Sequence, residues 1–232
     1  IVDGSLTTAL ALEEGNRHSP FSISTKATKA GNEYKISGEK TFVIDGHCSN
    51  LIIVAARTKG SDDDVAGITL FIVEADNDGI EITKTSMVDS RNSANIKFND
   101  ITVSSSNLLG EENNGAAILE EVLDRAQIAI SAEMLGNASQ AFDVTLDYLK
   151  ERKQFGSVIG SFQALQHRAA EMYSELELTK SSVIAACNAV DENSNDLKRM
   201  ASLAKYKAGE TNHLITNEAI QMHGGVGVTD EY

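Results

Sequence analysis

Two short segments carry more chemistry than their surroundings require. Glu151-Arg152-Lys153-Gln154-Phe155-Gly156 sets charges and an aromatic ring at a predicted helix C-terminus, directly before a glycine. A cap accounts for the lysine, arginine and glycine, since cations suit the negative end of a helix. It does not account for Phe155. Gln221-Met222-His223-Gly224-Gly225-Val226-Gly227 places three glycines within four residues after another helix. One glycine stops a helix; further ones let backbone approach something closely, such as a phosphate or ribose. Other chemistry is sparse. The chain has no His-Glu-x-x-His, Cys-x-x-Cys, Gly-x-Ser-x-Gly or Gly-x-x-x-x-Gly-Lys pattern. His18, His47, His167, His213 and His223 do not form metal-ligand spacing, and Cys48 and Cys187 read as small packing groups. Lys59-Gly60-Ser61-Asp62-Asp63-Asp64 is a solvated hairpin loop, too short in ligand spacing for an EF-hand.

The elements that must position these segments divide the chain in two. Residues 33–37 alternate polar and apolar, the period of a half-buried strand. Ser37-Gly38 punctuates, and a strand resumes over 40–44. Residues 51–56, 68–73, 80–83, 95–98 and 101–103 read as further short strands separated by turn signals, the pattern of an antiparallel sandwich or barrel. After Gly110 apolar residues recur every three or four positions, from Ile118 through Val122, Ala126, Ile130, Met134, Ala138 and Phe142 to Leu149. That helix is expected to end near Phe155-Gly156. Ser161 is expected to cap a second helix running to about Val190. A third spans about 196–223, with Leu197, Met200, Ala204, Ala208, Ile215, Ala219 and Met222 on one side. The expected fold class is α+β. An antiparallel β-sandwich or barrel over 1–110 precedes an antiparallel helical bundle over 111–232.

The 232 residues are 41% hydrophobic and 23% charged, a globular composition that argues against disorder. No apolar run approaches the ~18 residues of a membrane span. The net charge of −14 repels a phosphate backbone, so no nucleic-acid partner is expected. Two distant cysteines and no signal-like start imply a cytoplasmic, reducing compartment. The absence of an initiator methionine suggests an N-terminus further upstream.

Together with Gly38-Glu39-Lys40-Thr41-Phe42-Val43-Ile44-Asp45-Gly46, the Gly67–Glu74 strand and Phe162-Gln163, the two opening segments resemble the acyl-CoA dehydrogenase family of flavoproteins. The resemblance spans essentially the whole chain, as a middle β-domain and a C-terminal helical domain. It implies that the family's N-terminal helical domain and final helices lie outside this chain. The implied reaction is FAD-dependent α,β-desaturation of an acyl-CoA. A carboxylate takes the α-proton, the β-hydrogen leaves as hydride, and hydrogen bonds stabilise the developing enolate. The implied partners are an acyl-CoA substrate, electron-transfer flavoprotein as acceptor, and further subunits in a homodimer, homotetramer or heteromer.

The resemblance also assigns residues. Arg152 matches an arginine on the flavin pyrophosphate of a neighbouring subunit, a fit for guanidinium on phosphate. Phe155 matches an aromatic beside the adenosine, with Gln154 between them and Gln163 in the same contact. Gln221, Gly224 and Gly225 match an element that approaches the ADP moiety. Asp124 matches an aspartate at the CoA adenine end. Phe42 and Ile44 match the flavin-facing "W-I-T" or "W-I-S" strand, and Ile44 cannot supply its hydroxyl. The loop usually reading "T-E-P-x-x-G-S-D" is here residues 12–19, with Leu12 for the threonine and His18 for the serine. The arginine usual at the start of the long helix is Gln127. The base position that a minority of members use is Ala126. Asp124 lies some 160° round the helix from Ala126, and no catalytic base is assigned; Glu133 and Glu231 are merely available carboxylates. Two functions follow: an active flavin-dependent dehydrogenase subunit, or a degenerate structural subunit that only contributes contacts to a partner's FAD.

Overall fold

The computed structural model describes residues 1–89 and 91–230. The chain forms two compact units, Ile1–Glu120 and Glu121–Tyr232. The first unit is β, with strands β1 (Thr8–Ala11), β2 (Lys26–Ala30), β3 (Glu33–Ile44), β4 (Leu51–Arg57), β5 (Ile68–Glu74), β6 (Ile80–Ser86), β7 (Asn92–Ser104) and β8 (Leu108–Leu109). They make one sheet in the order β6-β7-β3-β2-β4-β5-β8, with β1 beside β4. Most pairings are antiparallel, but β1 and β2 each run parallel to β4. The Tyr34 and Phe71 rings meet edge to face at 5.0 Å. Their strands, β3 and β5, stand three strand-steps apart, about 14 Å in a flat sheet. The sheet therefore curls over a core that joins Tyr34, Ile36, Val54, Phe71, Ile96 and Phe98.

Two strand pairs expected from the sequence are single strands with irregularities. β3 runs unbroken through Ser37-Gly38, and β7 covers both 95–98 and 101–103. Opposite Ser37, β7 carries an extra residue, and Asp100 there has φ 52°. Between Lys40 and Val43, β3 carries the extra residue, and Phe42 has φ 56°. A bulge absorbs one residue and changes which side chains face inward. Before it, Tyr34, Ile36 and Lys40 are buried; after it, Val43 is.

In the second unit the long helices are α1 (Gly115–Glu151), α2 (Gln163–Asp191) and α3 (Leu197–His223), and α1 begins inside the first unit. The expected apolar face of α1 holds at Ala138, Phe142 and Leu149, but Val122, Ala126 and Ile130 are exposed. Strict spacing of four drifts about 40° per step, so Ile118 and Ala138 lie on opposite sides. Ala116, Leu119, Asp124, Ile128 and Ser131 are buried at that end instead. α2 and α3 share a buried cluster of Val183, Ala186, Ala201 and Ala204, with Ile128 of α1. Polar pairs that link α2 and α3 include Arg168–Glu218 at 3.2 Å, the Thr179 and Thr211 hydroxyls at 2.7 Å, and Glu175 with Lys207. Ser161 is not the cap of α2. Phe162 occupies that place, and the Ser161 hydroxyl donates to Val158 O instead.

Candidate functional site

In the β unit the bulge builds one wall of a cavity. Strand alternation alone would give Thr41 and Phe42 ladder partners. The bulge removes these and supplies others: Thr41 N–H donates to Glu13 O at 2.7 Å, and Phe42 N–H to the Asn95 side-chain oxygen at 3.3 Å. Phe42 is thereby left 55% exposed and Ile44 54% exposed, both large and apolar. Phe42 borders a cavity of about 550 Å³ with Thr41, Thr85, Asn95 and the loop residues Glu13 to His18 other than Glu14. His18 Nδ1 lies 2.6 Å from Glu13 Oε1, and Ser19 N–H donates to Glu13 Oε2 at 3.0 Å. The Leu12 side chain is buried.

Glu14 turns away from that cavity. Its Oε1 accepts from Lys40 Nζ at 2.7 Å and from Thr25 N–H at 3.0 Å; its Oε2 accepts from Ser24 N–H at 2.7 Å and from the Ser24 hydroxyl. Lys40, with no exposed surface, also donates to Leu12 O at 3.0 Å. Burial opposes charge on Glu14, yet the Lys40 ammonium and the Lys40 and Ser24 hydrogen bonds outweigh it and lower the carboxyl to about 2. For Lys40, burial outweighs the attraction of Glu14 and brings the ammonium down to about 8. The asymmetry has a physical origin, since the ammonium is wholly enclosed while the carboxylate keeps 12% of its surface.

In the helical unit, α1 stops at Glu151, earlier than the sequence suggested. The Arg152–Gly156 segment is a tight hairpin: β9 (Lys153–Gln154) pairs antiparallel with β10 (Ser157–Val158). Its central residues Phe155 and Gly156 have φ 54° and 77°, the signature of a type I′ turn. Gly156 thus serves the hairpin, not a helix cap. Phe155 is 92% exposed, and its ring centroid lies 6.4 Å from that of Phe162 in an edge-to-face arrangement. Arg152, Gln154 and Gln163 are exposed beside it. Gly224 ends α3 with φ 64°, and a Cβ added at Gly224 or Gly225 would meet nothing within 4 Å. Packing within the chain therefore gives no reason for a glycine at position 225.

The structure brings these two segments to one end of the bundle. The Tyr148 hydroxyl donates to His223 O at 3.3 Å, their rings lie 4.4 Å apart, and Arg152 N–H donates to Tyr148 O. Arg152, Gln154, Phe155 and Gln163 thus share an end with Gln221, Gly224 and Gly225. Asp124 does not join them. It is buried 24 residues before Tyr148, about 36 Å along the helix. Ala126 is exposed, Glu133 is exposed on α1, and Glu231 lies outside the described residues. Sequence reasoning missed Tyr148, the Glu13–His18 pair and the Glu14–Lys40 pair. Only Lys40 left a signal: it continues the inward alternation of Tyr34 and Ile36, which demands a buried acid.

Comparison with known proteins bears on both units. The family described as acyl-CoA dehydrogenase, C-terminal domain, matches residues 113–232, and the one described as acyl-CoA dehydrogenase, middle domain, matches residues 9–101. A probable acyl-CoA dehydrogenase of Bacillus subtilis, YngJ, is 36% identical over 100% of this chain and 62% of its own length. The structure of butyryl-CoA dehydrogenase from Megasphaera elsdenii is similar with a TM-score of 0.93 at 31% identity, covering 100% of this chain and 61% of that one. The FAD complex of PigA is similar with a TM-score of 0.93 at 26% identity, covering 99% and 61%. The chain spans between about half and three fifths of the length of the curated relatives it matches.

Proposed function

The chain belongs to the acyl-CoA dehydrogenase family, and from that premise we propose that the protein is an FAD-dependent enzyme that desaturates an acyl-CoA thioester between its α and β carbons. The observation that carries this reading is the bulge in β3, which holds Phe42 exposed on a cavity wall with Ile44 exposed two residues on. Two large apolar side chains kept at a surface suit a planar, mostly apolar ring system. The flavin would supply the acceptor for the β-hydrogen, transferred as hydride. Phe42 and Ile44 would flank its ring through apolar contact. Arg152 would neutralise the pyrophosphate of a neighbouring subunit's flavin. Gln154, Phe155 and Gln163 would border its adenosine side, and Gln221, Gly224 and Gly225 would offer it close backbone. Asp124 is proposed at the CoA adenine end. Ala126 carries no group that could take a proton, so no base is assigned on α1.

The proposed partners are the acyl-CoA substrate, electron-transfer flavoprotein as electron acceptor, and further copies of the chain in a dimer or tetramer, in the cytoplasm. One observation favours a second reading, a structural subunit of a heteromer. Leu12 is buried and Ile44 has no hydroxyl, so neither can donate a side-chain hydrogen bond to a flavin ring. Flavin content of the complete purified protein tests both. If the chain holds its own flavin, Ile44→Asp abolishes retention by setting a carboxylate against the ring. If it only reaches a partner's flavin, Ile44→Asp leaves flavin content unchanged and Arg152→Ala alone lowers it.

A further inference from the structure

We propose that Glu14 is a positioning residue, whose carboxylate clamps the cavity-lining loop to β3 and to Ser24-Thr25, the residues leading into β2, and so sets the cavity's affinity for its ligand; the ligand's identity as flavin rests on the reading above. Of loop residues 13–18, all but Glu14 border the cavity. Glu14 instead accepts four hydrogen bonds from Lys40, Ser24 and Thr25. Its neighbours are tied to the same strands: Leu12 O by Lys40 Nζ, Glu13 O by Thr41 N–H, and Gly15 O by the Thr41 hydroxyl at 3.2 Å. Lys40 is also the last paired residue before the bulge that displays Phe42. One buried ion pair therefore joins the two walls of the cavity.

Behind the clamp, the buried Arg57 side chain donates to the carbonyls of Ile23, Lys59, Asp62 and Ala66, and its own N–H donates to Thr25 O. The strand ends receiving Glu14 are thus themselves fixed. Glu14 stands where the resembled loop carries a proline. Proline stiffens a loop by locking φ; here a charged, fully bonded carboxylate does so. Buried ion pairs are poor sources of net stability compared with apolar replacements, and in some proteins they are retained for structural specificity. A loop that must stay in register with Phe42 is such a case.

The test uses the complete protein, with FAD as the probe ligand, and three readouts: FAD titration, urea midpoint and amide exchange without FAD. Glu14→Gln is expected to weaken FAD binding about tenfold, as small misplacements of a site do. It should also speed exchange at residues 12–25 and 40–42 while β5–β7 stay protected. The double variant Glu14→Gln/Lys40→Met removes the stranded ammonium. Its urea midpoint should return toward wild type while FAD binding stays weak. A double variant that regains both stability and affinity overturns the proposal, because the pair would then be merely structural. So does exchange that is unchanged, or raised evenly through the β unit, in Glu14→Gln. Should that variant fail to fold, Ser24→Ala keeps every charge and is expected to loosen the same residues less; no change there also counts against the clamp. If wild type binds no FAD, the flavin reading fails on its own, and the exchange pattern still decides whether Glu14 is a clamp.

Discussion

Phe42 and Phe155 share an unusual backbone, with φ 56° and 54°, yet the two regions hold them differently. Phe42 sits in a bulge whose freed amides are taken up by Glu13 and Asn95, above a buried Lys40–Glu14 pair. Phe155 sits at the tip of a hairpin with two-residue strands, almost wholly exposed. The left-handed region costs a non-glycine residue about 1–2 kcal/mol. In the β unit a broad network maintains that strain; at the bundle end almost nothing within the chain does. Strain persists where the surroundings require it. The difference teaches that the β-unit wall is organised from within, whereas the bundle end around Phe155 is held by little of its own chain.

The largest expected effect falls on the internally organised region. Glu14→Ala leaves a buried ammonium without its counter-charge and should destabilise the β unit by about 3–5 kcal/mol in urea unfolding. A loss under about 1 kcal/mol would show that Lys40 relaxes to solvent and that the network is not closed. The same pair fixes the sign of an acid effect. The folded carboxyl of Glu14 titrates near 2, below its ordinary 4.5, so its stabilisation is present above pH 4.5 and is lost as pH falls toward 2. Lys40, at about 8 in place of 10.5, gives a slope of the same sign in a second window: the unfolded chain holds more protons between those values, so this group too makes stability rise with pH there. Urea midpoints measured from pH 2 to 10 in wild type and Glu14→Gln/Lys40→Met should differ in these two windows and run parallel between them.

At the bundle end the expected effects are smaller and move function more than stability. Arg152→Ala should cost about 1.5–3 kcal/mol of FAD affinity, as loss of a charge-assisted contact does, with the melting temperature of the flavin-free protein unchanged. An equal drop in melting temperature would mean that the side chain serves the fold. The smallest effect separates the regions most cleanly. Phe155→Asn creates an Asn-Gly pair, the preferred type I′ sequence, and should stabilise the flavin-free protein by up to about 1 kcal/mol while lowering flavin retention. A destabilised Phe155→Asn with normal flavin content would reverse the comparison.

Much of this was legible in the sequence, for reasons that local physics supplies. Helices announce themselves by period, and the sequence sets the C-terminal end of α3 at His223 because Gly224 stops it. Strands β4, β5 and β6 were visible as short apolar or alternating runs. β1 and β2 were not, since Thr8–Ala11 and Lys26–Ala30 are short and carry small or charged residues whose burial depends on β4 and β3. The bulge at Phe42 left no local trace, because a bulge is a property of pairing with Ala94 and Ile96. The segments around Arg152 and Gly224 could be singled out as chemically excessive, but their meeting depends on Tyr148 and His223, which are 75 residues apart. In the sequence the hairpin at Phe155-Gly156 looks like a helix end, because glycine serves both.

The central claim is that the exposed wall around Phe42 and the exposed end around Arg152 both serve one flavin chemistry. The most direct measurement is FAD absorbance per protomer in the complete purified protein, before and after reconstitution with excess FAD. One FAD per chain is expected, reduced by both Ile44→Asp and Arg152→Ala. Half an FAD per chain, with a second polypeptide present and Ile44→Asp silent, would replace the active subunit with the structural one. A colourless protein that takes up no FAD, alone or with any co-purifying chain, would contradict the account.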